Sequence, residues 1–183
     1  VLLSGRNGGE AQRSEQVFQD SGLEWTIVRA GWFDQNFSEG FLLGPVLGGE
    51  VALPVGDVPE PFIDADDIAD VVVAVLTEEG HAGQVYELTG PRLLTFAEAV
   101  AEIAIASGRD VRFVQLSVEQ YNSGLKAAQV PDTVVRLLNY LFTTVLDGRN
   151  AYLTDGVQRV LGRKPRDFAE YARATAATGV WTV

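Results

Sequence analysis

The segment Glu24-Trp25-Thr26-Ile27-Val28-Arg29-Ala30-Gly31-Trp32-Phe33-Asp34-Gln35-Asn36-Phe37 decides how the rest of the chain reads. Trp25 to Val28 is a β-branched and aromatic run of strand length, and the small residues Ala30-Gly31 break it. A buried strand therefore ends there and a loop begins. The loop carries Trp32, Phe33, Gln35, Asn36 and Phe37, flat apolar surfaces interleaved with amides that both donate and accept hydrogen bonds. Open α/β sheets hold ligands in the crevice outside the carboxyl ends of their strands, so this loop is expected to wall a pocket. The competing reading is that its aromatics only plug the sheet edge.

Outward toward the N-terminus, Val1 to Ser4 reads as a short strand and Gly5-Arg6-Asn7-Gly8-Gly9 as a flexible loop. Glu10 to Ser21 follows as a polar helix with Ala11, Val17 and Phe18 inward, ended by Gly22. Strand, loop, helix and strand make one βαβ unit with a right-handed crossover. The glycines do not fit the G-x-G-x-x-G spacing, and Glu10 would place negative charge where a pyrophosphate needs positive potential.

Toward the C-terminus, Gly44-Pro45 and Gly48-Gly49 bracket turns, and Glu50 to Leu53 is a strand. Asp64 starts a helix with Asp66 and Asp67 in its first turn, and Ile68 to Leu76 is apolar nearly all round, which predicts packing on both sides. Asp64, Asp66, Asp67 and Asp70 also suggest a metal cluster, but capping accounts for them without an ion. Gln84 to Thr89 is a strand. Thr95-Phe96-Ala97-Glu98 is a capping box opening a helix to about Ser107, stopped by Gly108. Val111 to Leu116 is a strand, and Ser117 to Gln120 has the spacing of a second capping box. After Pro131, Val134, Val135, Leu137, Leu138, Leu141, Phe142, Val145 and Leu146 form a face broad enough to need a cover. That cover is the pocket region, a preceding part of the chain or a second subunit. A last helix runs from Asp167 to about Ala177. Arg159, Arg163, Lys164 and Arg166 read as a solvated patch in preference to a phosphate site.

Composition narrows the chemistry. At 183 residues and 46 % hydrophobic content the chain suits one domain with a sizeable core. No apolar run approaches the ~20 residues of a membrane span, and the start lacks the features of a signal peptide, so a cytoplasmic location is expected. Zero cysteines exclude disulfides and thiol catalysis, and the single histidine, His81, reads as a solvated turn residue. A net charge of -11 disfavours nucleic acid and anionic membranes as partners. Methionine is absent even at position 1, and an N-terminal part is therefore expected to be missing. No G-x-S-x-G elbow is present, and Tyr121 and Lys126 miss the Tyr-x-x-x-Lys spacing, so neither a hydrolase nor a tyrosine-acid dehydrogenase mechanism has support.

Phe18-Gln19-Asp20-Ser21-Gly22-Leu23, Trp25-Thr26-Ile27-Val28-Arg29, Gly31-Trp32-Phe33 and Gln35-Asn36 together resemble the second half of the Rossmann domain in NmrA-like proteins. These are atypical short-chain dehydrogenase/reductases, a group that includes NAD(P)H:quinone oxidoreductases. Asp64 with Asp67-Ile68-Ala69, and Tyr86-Glu87-Leu88-Thr89-Gly90-Pro91 with Thr95, resemble later motifs shared with epimerase-like relatives, and Leu146 to Asn150 looks like a subgroup feature.

The resemblance implies an α/β fold: the C-terminal portion of a Rossmann-like doubly wound parallel sheet with a small α+β substrate lobe. Residues 1–90 would supply the later strands and helices of the NAD(P)-binding domain, and 91–183 a mostly helical lobe. The glycine-rich cofactor loop of the family lies outside this chain. By the same resemblance, Ser4, Gly5, Ala30, Gly31 and Trp32 would meet NAD(P), with NADPH the expected form. Phe33, Asn36 and Phe37 would meet the substrate; no metal is implied, and no catalytic residue is assigned. The implied function is NAD(P)H-dependent reduction of a flat carbonyl or quinone-type small molecule. The alternative is a non-catalytic NAD(P) redox sensor acting through a protein partner, and a homodimer is left open.

Overall fold

The computed structural model describes residues 1–6 and 8–182; Asn7 of the glycine loop and Val183 at the end of the expected lobe lie outside the described residues. Three parallel strands form the main sheet in the order β1 (Leu2–Gly5), β2 (Thr26–Ala30), β4 (Gln84–Leu88). The register aligns Leu3 with Val28 and Val28 with Tyr86. Ile27 and Val28 are fully buried, as expected of a central strand whose faces are both covered. Helix α1 (Gly9–Gln19) crosses from β1 to β2, and α3 (Ala65–Thr77) precedes β4.

Helix α1 is phased differently from its apolar residues. Ala11, Glu15 and Phe18, at spacings of four and three, face inward, while Val17 is 74 % exposed. The cause is Arg29 on β2, whose Nε donates to Glu15 Oε1 at 2.9 Å and holds that carboxyl below its usual range. An ion pair, not Val17, fixes this face. Helix α3 corrects a second expectation: Ile68, Val71, Ala74 and Val75 are buried, but Val73 and Leu76 are exposed, so it packs on one side. Its cap is as expected, with Asp64 Oδ1 accepting from Asp66 N at 2.9 Å.

A second, two-stranded parallel sheet pairs β3 (Glu50–Leu53) with β5 (Arg112–Gln115), joining residues on either side of position 90. A short helix α2 (Leu43–Leu47) precedes β3 where only turns were expected. Pro45 is tolerated there because it sits within the first turn, where the missing N–H has no intrahelical partner. Helix α4 (Phe96–Ser107) carries the Thr95–Glu98 capping box and ends on Gly108 at φ 66°. Helix α5 (Val118–Ala127) carries the Ser117–Gln120 box.

Helix α6 (Asp132–Tyr140) continues into a π turn at Leu141–Val145. Leu138, Phe142 and Leu146 point into the core from its broad face, while Val134 and Leu137 stay exposed. Helix α7 (Gly156–Leu161) returns to the main sheet, and α8 (Phe168–Ala177) packs on α4.

Two cores result. One is aromatic, built of Trp32, Phe37, Phe62, Phe96, Phe142, Phe168 and Trp181 with aliphatic neighbours, and holds α4, α6 and α8 together. Phe62 meets Phe96 edge to face at 5.0 Å. The other, around Val28, Ile63, Val71, Tyr86, Leu88 and Val157, lies between the main sheet and α3 with α7. The basic patch is a fastening between these layers. Arg166 Nη1 binds Asp67 Oδ1 at 2.6 Å and Arg163 Nη2 binds Asp70 Oδ2 at 2.6 Å, while Arg159 lies over the Tyr86 ring. Those aspartates are thus occupied by guanidinium groups, and no group of three or more metal-ligating side chains occurs among the described residues. His81 is less free than a turn residue would be, with Nδ1 2.8 Å from the Tyr86 hydroxyl. No helix among the described residues is long and apolar enough to cross a membrane.

Candidate active site

Strands β1 and β2 end side by side at Gly5 and Ala30, and a cavity of about 410 Å³ opens directly beyond them. That volume is in the range of small-molecule sites, and the position is where an open parallel sheet exposes backbone groups to a ligand. One wall is the small-residue edge formed by Gly5, Gly8, Ala30 and Gly31. Trp32, Phe33 and Asn36 continue it through the turn at Asp34–Phe37. The opposite wall comes from Phe41, Tyr140, Leu141, Val145 and Asn150.

Arg6 is the charged group at the base of this cavity. Its backbone N donates to Ala30 O at 3.1 Å, tying the loop after β1 to the end of β2. Its side chain is buried: Nε donates to Glu87 Oε1 at 2.8 Å, Nη1 and Nη2 donate to the carbonyls of Asn150 and Tyr152, each at 3.3 Å, and the guanidinium lies 4.5 Å from the centre of the Tyr152 ring. Arg6 therefore clamps the end of the sheet to the 150–152 segment while part of it still lines the cavity.

Of the residues expected on the cofactor side, Gly5, Ala30, Gly31 and Trp32 line the cavity. Ser4 does not; it lies toward Glu15 and helps, after Arg29, to hold that carboxyl below its usual range. Side chains alternate along a strand, so the position before Gly5 faces the helix layer instead of the sheet end. Of the expected substrate residues, Phe33 and Asn36 line the cavity and Phe37 does not. Phe37 is fully buried in the aromatic core, and its carbonyl accepts from Trp181 Nε1 at 2.9 Å. The helical turn at 34–37 puts Asn36 and Phe37 on different sides, which adjacency in sequence hides. Trp32 is also largely committed to protein: it stacks on Phe142 at 5.5 Å and meets Phe96 edge-on at 5.2 Å. Its rim, not its whole ring, is left for a ligand.

Sequence reasoning missed Arg6, Tyr140 and Asn150. Arg6 had a signal, since it follows directly on a strand already expected to end at the site. Tyr140 and Asn150 had only indirect ones: the broad face from Val134 to Leu146 that needed a cover, and the Leu146 to Asn150 run that resembles a subgroup feature.

No protein-family model matches the chain. Over 166 residues it is 38 % identical to an NAD(P)H azoreductase of Xenophilus azovorans, an alignment covering 90 % of this chain and 57 % of the azoreductase. An NADPH-dependent quinone oxidoreductase of Escherichia coli, solved with NADPH, superimposes with a TM-score of 0.78 at 25 % identity, over 90 % of this chain and 58 % of that one. The negative transcriptional regulator NmrA in complex with NAD shares the fold, with a TM-score of 0.62 at 20 % identity over 94 % and 60 % of the two chains. The chain thus spans less than two thirds of the length of these relatives. With a parallel sheet, helices on its faces, a cavity at its carboxyl edge and these relatives, the chain belongs to the NmrA-like family of atypical short-chain dehydrogenase/reductases.

Proposed function

We propose that the protein carrying this chain is an NAD(P)H-dependent oxidoreductase that reduces a flat carbonyl, quinone or azo compound. The observation that carries the reading is the predominantly apolar cavity at the carboxyl ends of β1 and β2, flanked by a small-residue edge and closed by aromatic and aliphatic side chains. A nicotinamide ring fits these surroundings. Gly5, Gly8 and Gly31 keep side chains away from that edge, and the Asn36 amide is placed to orient a carboxamide or carbonyl. The cofactor, when bound, supplies hydride. The chain's own part is to bind, orient and exclude water: Trp32 and Phe33 form one apolar boundary, Leu141 and Val145 the other, and Arg6 holds the two lobes at a fixed separation. Similarity to an azoreductase and to a quinone oxidoreductase supports both the cofactor and the class of acceptor.

The test is NADPH consumption by the whole protein with a panel of quinones and azo dyes, with NADPH binding measured separately by calorimetry. Binding with turnover of at least one flat acceptor is the expected result. Binding without turnover of any acceptor would favour a redox sensor that acts through a protein partner, and absence of binding would overturn both readings.

A further inference from the structure

Glu60 is a buried titratable group beside the cavity that has nothing to hold among the described residues. It is fully buried, and neither of its carboxyl oxygens has a hydrogen-bond partner among the described residues. Its position is set by a backbone bridge: Glu60 N donates to Leu94 O at 2.8 Å and Leu94 N to Glu60 O at 2.9 Å. The charged groups facing it are Arg6 beyond β1, which favours the ionised form, and Asp147 after the π turn, which disfavours it. Burial outweighs both and pushes the carboxyl up to about 7. Arg6 does not pair with Glu60 because its guanidinium is committed to Glu87 and to two backbone carbonyls.

The carboxyl also lies just behind the cavity wall at Gly31, while Glu60 itself is not part of the lining. An atom placed where a Gly31 side chain would begin stands 3.9 Å from Glu60 Oε2 and 3.9 Å from Arg6 Nη1. Gly31 and Arg6 both line the cavity. Glu60 therefore stands behind the cavity lining, on the side of Gly31 where a side chain is absent. A neutral carboxyl there has a proton to donate and no protein acceptor for it.

We propose that Glu60 is the proton source for reduction at this site, passing its proton across the Gly31 gap to an oxygen or nitrogen of the bound acceptor. The inference rests on the oxidoreductase reading above. Two-electron reduction of the acceptor by hydride from a dihydronicotinamide opens a π bond, forms one C–H, O–H or N–H bond and leaves an electron pair on a second atom, the other oxygen of a quinone or the other nitrogen of an azo group. That atom then takes the Glu60 proton: the carboxyl O–H bond breaks, a new O–H or N–H bond forms, and the electron pair stays on the carboxylate, where Arg6 stabilises it. Solvent returns the proton before the next turnover. The dihydronicotinamide is oxidised to the nicotinamide cation and the acceptor is reduced, so electrons, protons and charge balance.

The test compares wild type, Glu60→Gln and Glu60→Asp in the whole protein. NADPH oxidation is followed against pH with a quinone and an azo dye, NADPH affinity is measured by calorimetry, and the titration of Glu60 by NMR with carbon-13 glutamate labelling, without cofactor. The wild-type rate is expected to fall as pH rises above about 7, as an acid in this role requires. Glu60→Gln is expected to lower kcat about a hundredfold and abolish that limb with NADPH affinity kept within twofold, and Glu60→Asp to restore the limb. One glutamate resonance should titrate near neutrality and be missing from the Gln variant. Full kcat with an unchanged pH limb in Glu60→Gln, or titration of Glu60 in the ordinary carboxylate range, would overturn this inference and leave the oxidoreductase reading standing. Absence of NADPH oxidation by wild type with every acceptor would overturn that reading and this inference with it.

Discussion

Asp34 sits in the turn after β2 with its side chain buried and both carboxyl oxygens without a hydrogen-bond partner among the described residues. Burial, reinforced by the negative charges of Asp64 and Asp67, pushes it up to about 8. The folded protein therefore holds a proton that the unfolded chain has released between about pH 4 and pH 8, and across that window this residue makes stability fall as pH rises. Asp34→Asn is expected to flatten the decline: its thermal midpoint should match wild type near pH 5 and exceed it by a few degrees at pH 8, read by calorimetry. Arg6 makes the opposite case, a buried cation with all its partners in place. Arg6→Ala leaves Glu87 without its cation and two carbonyls without donors, and should cost about 3 kcal/mol in denaturant unfolding. Residue identity made Gly31, Trp32, Phe33 and Asn36 legible as site candidates. It did not separate Asn36 from Phe37, because a single turn sends neighbours to opposite sides.

Among the elements, those announced by local chemistry were read most faithfully. The caps at Asp64, Thr95 and Ser117 all form with the side chains expected from their spacing, and Asp167, expected as the first residue of the last helix, caps it instead. Each is a contact between residues two or three apart, so sequence alone contains it. Thr95→Ala should cost about 1 kcal/mol, measured by chemical denaturation, as α4 loses one half of its box. Phasing was harder to read where an ion pair overrides hydrophobicity, as Glu15 does over Val17 on α1. Long-range seating was not legible at all. Helix α7 begins at Gly156, where a Cβ would stand only 2.2 Å from Glu87 O on β4. The contact spans the chain and is invisible in a window around residue 156. Gly156→Ala is expected to destabilise the protein by about 3 kcal/mol and loosen amide protection along α7 and β4, seen by hydrogen exchange.

At the scale of the molecule, the cavity lies where the carboxyl edge of the main sheet meets the end of α6 and the π turn, which belong to the aromatic core. The wall from β1 and β2 follows from the strand-to-loop transition at Ala30-Gly31, which is why it could be anticipated. The wall from Tyr140, Leu141, Val145 and Asn150 depends on how α6 and the π turn settle on Trp32 through Phe142; the broad apolar face announced that a cover was needed, with the pocket region as one of three candidates, but not which one it met. Gly31 stands at the junction. Its φ is not positive, and a Cβ there would meet Arg6 and Glu60 only at 3.6 to 3.9 Å, so the backbone accepts a Cβ at this point of the cavity wall. The direct measurement is kcat/KM for NADPH-dependent reduction by Gly31→Val in the whole protein, alongside its thermal midpoint. If reduction takes place in this crevice, kcat/KM falls about a hundredfold or more while the midpoint stays within a few degrees of wild type. Unchanged kcat/KM in the folded variant would place the chemistry elsewhere.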